Sequence, residues 1–104
     1  MREGGRMMLK VKPFRFLDKI KGEDYIFEGN KFYNARNFPL AIELYNIAIK
    51  GSNANPVVYF NRGCSYMAIG SFDRAINDFL EFLKHCPNDI ETKDQLALAN
   101  SLIK

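Results

Sequence analysis

The sequence predicts an all-α fold of helical hairpins stacked in series, an α-solenoid of about five helices, and three observations lead there. Sliding the chain against itself by 34 residues lays 22–55 over 56–89 without a gap. Six positions then become identical: Tyr25/Tyr59, Gly29/Gly63, Phe38/Phe72, Ala41/Ala75, Ile42/Ile76 and Lys50/Lys84. These positions, with the similar pairs Phe32/Tyr66, Tyr45/Phe79, Ile49/Leu83 and Asn55/Asp89, recur three, four and seven apart, the period of one buried helical face. The breakers also repeat: Asn37 with Pro39, Gly51 to Asn55, Gly70-Ser71 and Pro87 divide the chain at regular intervals.

Residues 1–21 stand apart as an N-terminal arm. The arm holds seven basic groups against Glu3 and Asp18, whereas residues 22–104 hold eight basic and ten acidic ones. The pI near 8.9 therefore belongs to the arm, and the mildly acidic body excludes a uniformly basic nucleic-acid face. Within the arm, Leu9 to Lys12 and Phe14-Arg15-Phe16 alternate apolar and basic residues around Pro13, which suits an extended segment. Such a segment can meet RNA or an anionic membrane, add as a strand to a partner, or rest its aromatic rings on the first repeat.

The domain then runs 22–104, as repeat 1 (22–55), repeat 2 (56–89) and a C-terminal capping helix (90–104). Glu23 to Arg36 reads as the first helix, and Pro39 suits the opening of the second, which reaches about Lys50. Asn55-Pro56 pairs a capping residue with a helix-opening proline, so the third helix runs from Pro56 to Ile69 and the fourth from Asp73 to His85. Pro87 stops it, and Asp89 caps a fifth helix to about Ile103. Gly29 and Gly63 lie in mid-helix, where glycine costs ~1 kcal/mol against alanine. Packing must require them, and a close approach of the facing helix backbone at Ala41 and Ala75 is the expected cause. Ile90, Leu96, Leu98, Leu102 and Ile103 spread over more than one face of the last helix, which predicts a homodimer or an obligate partner through 90–104.

Catalytic and metal chemistry find no footing. The sole histidine, His85, and the two cysteines, Cys64 and Cys86, cannot make a four-ligand metal set or a CxxC pair. Paired carboxylates in apolar settings, a glycine-rich phosphate loop and a triad order are likewise missing from the sequence. A non-enzymatic module without cofactor or metal is expected. Charges interrupt every apolar stretch well short of the ~20 residues of a membrane helix. The stretch from Met7 to Leu17 is also too broken for a secretory signal, so a cytoplasmic protein with reduced thiols is expected.

These residues resemble the tetratricopeptide repeat. The likeness rests on an aromatic at Tyr25 and Tyr59, a small residue four later, an aromatic three beyond, Ala-Ile at 41–42 and 75–76, the 34-residue period and Pro87. One departure is Phe82, where the first copy has the small Ala48; a bulky ring there should shift the packing of the last helix. The resemblance implies a stacked superhelix whose first helices line a concave, peptide- or helix-binding groove, and hence an adaptor for a protein partner. Carried onto this chain, the groove positions are Ile26, Phe27, Asn30, Tyr33 and Asn34, then Phe60, Asn61, Cys64, Met67 and Ala68, and finally Glu91, Gln95 and Leu98.

Glu28-Gly29-Asn30 and Asn61-Arg62 also look like the co-chaperone subclass that grips the acidic C-terminus of heat-shock chaperones. Asn30 and Asn61 match its asparagines. Ile26 replaces a lysine, however, and Glu91 and Gln95 stand where a lysine and an arginine belong. A carboxylate brought there loses water without gaining a cation, so the groove is expected to favour an apolar or helical segment over an acidic tail. The rival reading is a small structural subunit of a ribonucleoprotein or membrane-associated assembly, anchored by residues 1–21.

Overall fold

The computed structural model describes residues 22–51 and 54–103. The 1–21 arm, with the RNA, membrane and anchoring readings attached to it, lies outside the described residues. Five helices follow in order: α1 (Gly22–Asn34), α2 (Phe38–Lys50), α3 (Val57–Ala68), α4 (Phe72–His85) and α5 (Ile90–Leu102). No strand occurs among the described residues, and no described helix is long and apolar enough to cross a membrane.

Both hairpins are made by one local device. At the end of α1, the Asn37 and Arg36 amides donate to the Phe32 and Tyr33 carbonyls at 2.8 and 2.9 Å. At the end of α3, the Ser71 and Gly70 amides donate to Tyr66 and Met67 at 2.9 and 3.1 Å. This double bond closes a helix around one left-handed residue, here Arg36 (φ 65°) and its repeat equivalent Gly70 (φ 80°). Arg36 is thus the terminator of the first helix rather than part of it, which is why α1 is shorter than the apolar period suggests. The next helix starts at once, with the Asn37 Oδ1 accepting from the Leu40 amide at 3.3 Å. Asp89 caps α5 as its sequence position predicts, its Oδ2 accepting from the Thr92 amide at 2.9 Å and the Thr92 hydroxyl at 2.6 Å.

Packing is chiefly between neighbours in sequence: α1 on α2, α2 on α3, α3 on α4 and α4 on α5, with a slighter contact between α1 and α3. Ala41, Tyr45, Ala48 and Val58 form one buried cluster, against which Tyr25, Ile26, Phe32, Tyr33 and Tyr59 rest. The mid-helix glycines have a different cause from the expected one. A Cβ on Gly29 would lie 2.5 Å from the Tyr45 ring, and one on Gly63 would lie 2.7 Å from the Phe79 ring. The space is therefore taken by an aromatic ring of the facing helix, not by its backbone, and both rings are essentially inaccessible to solvent. Phe60 meets Phe79 and the departing Phe82 with ring centroids 5.8 and 5.9 Å apart, so the extra ring of the second repeat joins an aromatic cluster in its own hairpin.

Candidate functional site

A cavity of about 390 Å³ opens where α1, α3 and α5 come together. From α1 come Asn30, Tyr33 and Asn34; from α3, Phe60, Asn61 and Cys64; from α5, Glu91; and Tyr45 reaches it from α2. Seven of the groove residues expected from the sequence, Asn30, Tyr33, Asn34, Phe60, Asn61, Cys64 and Glu91, are brought to this one place. Ile26, Phe27, Met67, Ala68, Gln95 and Leu98 do not line it. Ile26 rests on the core cluster, and Phe27 is 62% exposed with the Lys31 ammonium 5.5 Å from its ring centre.

The two asparagines are coupled through one oxygen. Asn30 Oδ1 accepts from the Tyr45 hydroxyl and from Asn61 Nδ2, the latter at 2.9 Å. Tyr45 is the wall residue that sequence reasoning missed: its ring covers Gly29 while its hydroxyl orients Asn30. With both lone pairs of Asn30 Oδ1 engaged, its amide nitrogen keeps two N–H donors, and Asn61 keeps its oxygen and one N–H. A donor and an acceptor thus stand on the same wall as the Tyr33 and Phe60 rings, the pair that a peptide unit requires.

Electrostatically the wall carries one formal charge, on Glu91, an exposed residue of the first turn of α5 with no ion-pair partner in the described structure. Burial, and secondarily the nearby Glu91 carboxylate, push the Cys64 thiol up to about 12, so at neutral pH it is a small protonated wall group rather than a nucleophile. Burial likewise raises Tyr33 and Tyr45, leaving both hydroxyls protonated. No group of three or more His, Cys, Asp or Glu among the described residues could hold a metal ion.

Beside the cavity, α3 is fixed by a second residue that sequence reasoning did not single out for structure. Arg62 donates from Nε and Nη2 to both oxygens of Asp78 at 2.8 and 2.7 Å, and from Nη1 to Asn46 Oδ1 at 2.8 Å. Its guanidinium lies 5.9 and 5.7 Å from the ring centres of Tyr59 and Tyr66. The arginine ties α2, α3 and α4 together one residue from Asn61. A signal was available: Tyr59, Arg62 and Tyr66 share one face at spacings of three and four, and a charge in an aromatic stripe needs a buried partner. Hydrogen bonding to the Asp78 carboxylate raises Arg62. Burial pushes the Asp78 carboxyl above its ordinary value, against the pull of the guanidinium.

Comparison with known proteins agrees with this architecture. The tetratricopeptide repeat family model matches residues 56–89, the whole of the second repeat. A small glutamine-rich tetratricopeptide repeat-containing protein of Dictyostelium discoideum is 38% identical over 87 residues, covering 78% of this chain and 26% of that protein. Heat shock protein STI1 of Saccharomyces cerevisiae is 32% identical over 82 residues, covering 78% of this chain and 14% of that protein. A second small glutamine-rich repeat protein, from Mycosarcoma maydis, is 39% identical over 61 residues, or 59% of this chain and 17% of its own length. The chain thus spans about a quarter or less of these relatives. With its second repeat matched, the same hairpin 34 residues before it and relatives named for this repeat, the chain belongs to the tetratricopeptide repeat family.

Proposed function

We propose that this chain is a non-enzymatic adaptor module whose groove between α1, α3 and α5 holds an apolar or helical segment of another protein. The observation that carries the reading is the cavity wall itself: two aromatic side chains share it with a preset amide donor and acceptor, a combination that takes apolar side chains and one peptide unit together. Ile26, Phe27 and Met67 extend the same role beyond the cavity as contacts for a longer ligand. An acidic tail fits poorly, since it would meet Glu91 and no wall cation.

The test is a selection of helical peptides against the wild-type chain, with Phe60→Glu as the counter-selection bait. Enriched segments should be apolar on one face and should lose binding to the variant. Titration with an acidic chaperone C-terminal peptide should give no saturable signal; micromolar binding abolished by Asn30→Ala or Asn61→Ala would overturn the preference.

A second contact is favoured by α5, on which Ile90 is 73% exposed and Leu98, Leu102 and Ile103 are more than two-fifths exposed. We propose that this helix meets a second copy of the chain or an obligate partner through residues 90–104.

A further inference from the structure

Two features lie beyond the reading above: the Arg62–Asp78–Asn46 cluster and the charge on the groove wall. Arg62 already gives three hydrogen bonds to Asp78 and Asn46 within the fold. The wall charge goes further, because it bears on what kind of segment the groove admits.

Glu91 is the one formally charged residue on the cavity wall, and it is a carboxylate. Its neighbours cannot neutralise it. Asn30, Asn34 and Asn61 are uncharged amides, and Cys64 stays a thiol. Lys31 of α1 is held by Glu28 at 3.4 Å and lies over Phe27, and it does not line the cavity. Tyr33 and Phe60 share the cavity wall with Glu91, and aromatic rings attract positive charge as well as apolar groups. A carboxylate and two aromatic side chains on one cavity wall suit a cation carried on an apolar stem, which describes lysine and arginine side chains.

Resting on the groove reading, we propose that the partner segment presents a lysine or arginine to Glu91, next to an aromatic or aliphatic side chain seated against Tyr33 and Phe60. The amide pair of Asn30 and Asn61 then meets the intervening peptide unit. Glu91 is the residue that decides the sign of the ligand's charge, and the segment admitted is basic and apolar.

Two labelled nonapeptides serve as probes in fluorescence anisotropy with the full chain. The cationic one has the sequence of residues 9–17, LKVKPFRFL, which supplies alternating cations and apolar groups. The acidic one carries Lys10→Glu, Lys12→Glu and Arg15→Glu. The cationic probe should bind roughly tenfold more tightly, with an affinity that falls as salt rises. Glu91→Gln should weaken it about threefold to fivefold, the size of one exposed ion pair. Glu91→Lys should reverse the preference. Glu43→Lys makes the same charge change on an exposed residue of α2 that does not line the cavity and should leave the preference in place. Far-UV circular dichroism of each variant checks that α5 remains folded.

Equal or tighter binding of the acidic probe, or a preference unmoved by Glu91→Lys, overturns the charge assignment while the groove reading stands. Binding of neither probe, by the wild-type chain and by a full chain carrying Lys10→Glu, Lys12→Glu and Arg15→Glu, overturns both. Cationic binding that emerges only in that charge-reversed chain supports the assignment and identifies the chain's own arm as a competing occupant.

Discussion

Replacing Asp78 with alanine removes the acceptor for two of the three bonds that hold Arg62, and the consequence can be sized from the geometry. The Asp78 side chain is 5% exposed and that of Arg62 20%, so the guanidinium left behind is mostly out of water. Breaking a buried ion pair on one side costs about 3–5 kcal/mol, because the remaining charge is uncompensated. Here Arg62 keeps its 2.8 Å bond to Asn46 and some solvent access, which lowers the expected loss to about 2–4 kcal/mol. A domain with roughly eighty ordered residues has about 4–12 kcal/mol in total, so the variant should lose a large share of its stability. Burial pushes Asp78 upward despite Arg62, whereas the bond to Asp78 raises Arg62 against its own burial, so attraction and desolvation largely offset within the pair and removing both charges should cost less than removing one. Urea unfolding followed by far-UV circular dichroism should therefore rank Asp78→Ala well below the double variant Arg62→Met with Asp78→Leu. A single variant losing less than about 1 kcal/mol, or a double variant no better than the single, would refute the reasoning.

Gly63→Ala gains ~1 kcal/mol of helix propensity, but its Cβ would sit 2.7 Å from the buried Phe79 ring; overpacking of ~1–3 kcal/mol should leave it destabilised by urea titration. Arg36→Gly relieves a left-handed residue at a site where the second repeat already uses glycine, and should raise stability by up to ~1 kcal/mol in the same assay. Alkylation at neutral pH should modify the exposed Cys86 quickly and Cys64 slowly, by mass spectrometry of tryptic peptides, since the Cys64 thiolate is scarce with its value near 12. Thr92 hydrogen bonds lower Asp89, so its contribution is present above the ordinary carboxyl range and lost as pH falls through the lowered value. Acid melts should show this loss, and Asp89→Asn should blunt it. Leu98→Glu with Leu102→Glu should shift any self-associated species to monomer in sedimentation velocity.

Much of the fold was legible because the repeat compares the chain with itself. Two hairpins in register locate breaks that single-helix propensities leave vague, and all five helices fall within one or two residues of the expected bounds. Arg36 escaped because a left-handed cap is written in backbone geometry: its twin Gly70 announces the turn, while an arginine in the same role does not. The groove was legible where one helix supplies it. Tyr45 was not, because its ring had already been explained by the buried period and nothing in its spacing says where the hydroxyl goes. The Arg62–Asp78–Asn46 cluster joins residues sixteen apart on three helices, and only the fold decides that those faces meet.

A chain of helices in which each is held mainly by its sequence neighbours behaves like a ladder rather than a sphere. Contacts are local, so folding closes no long loops and should be fast, and opening can start at either end. Amide hydrogen exchange in the free chain should therefore be graded, quickest in α5, whose main neighbour is α4 alone, and slowest around α2 and α3. A ligand seated between α1, α3 and α5 would change the connectivity of this ladder by joining its first and last rungs. Occupancy of the groove should then slow exchange in α1 and α5 together, converting end-fraying into a single opening event for the whole array.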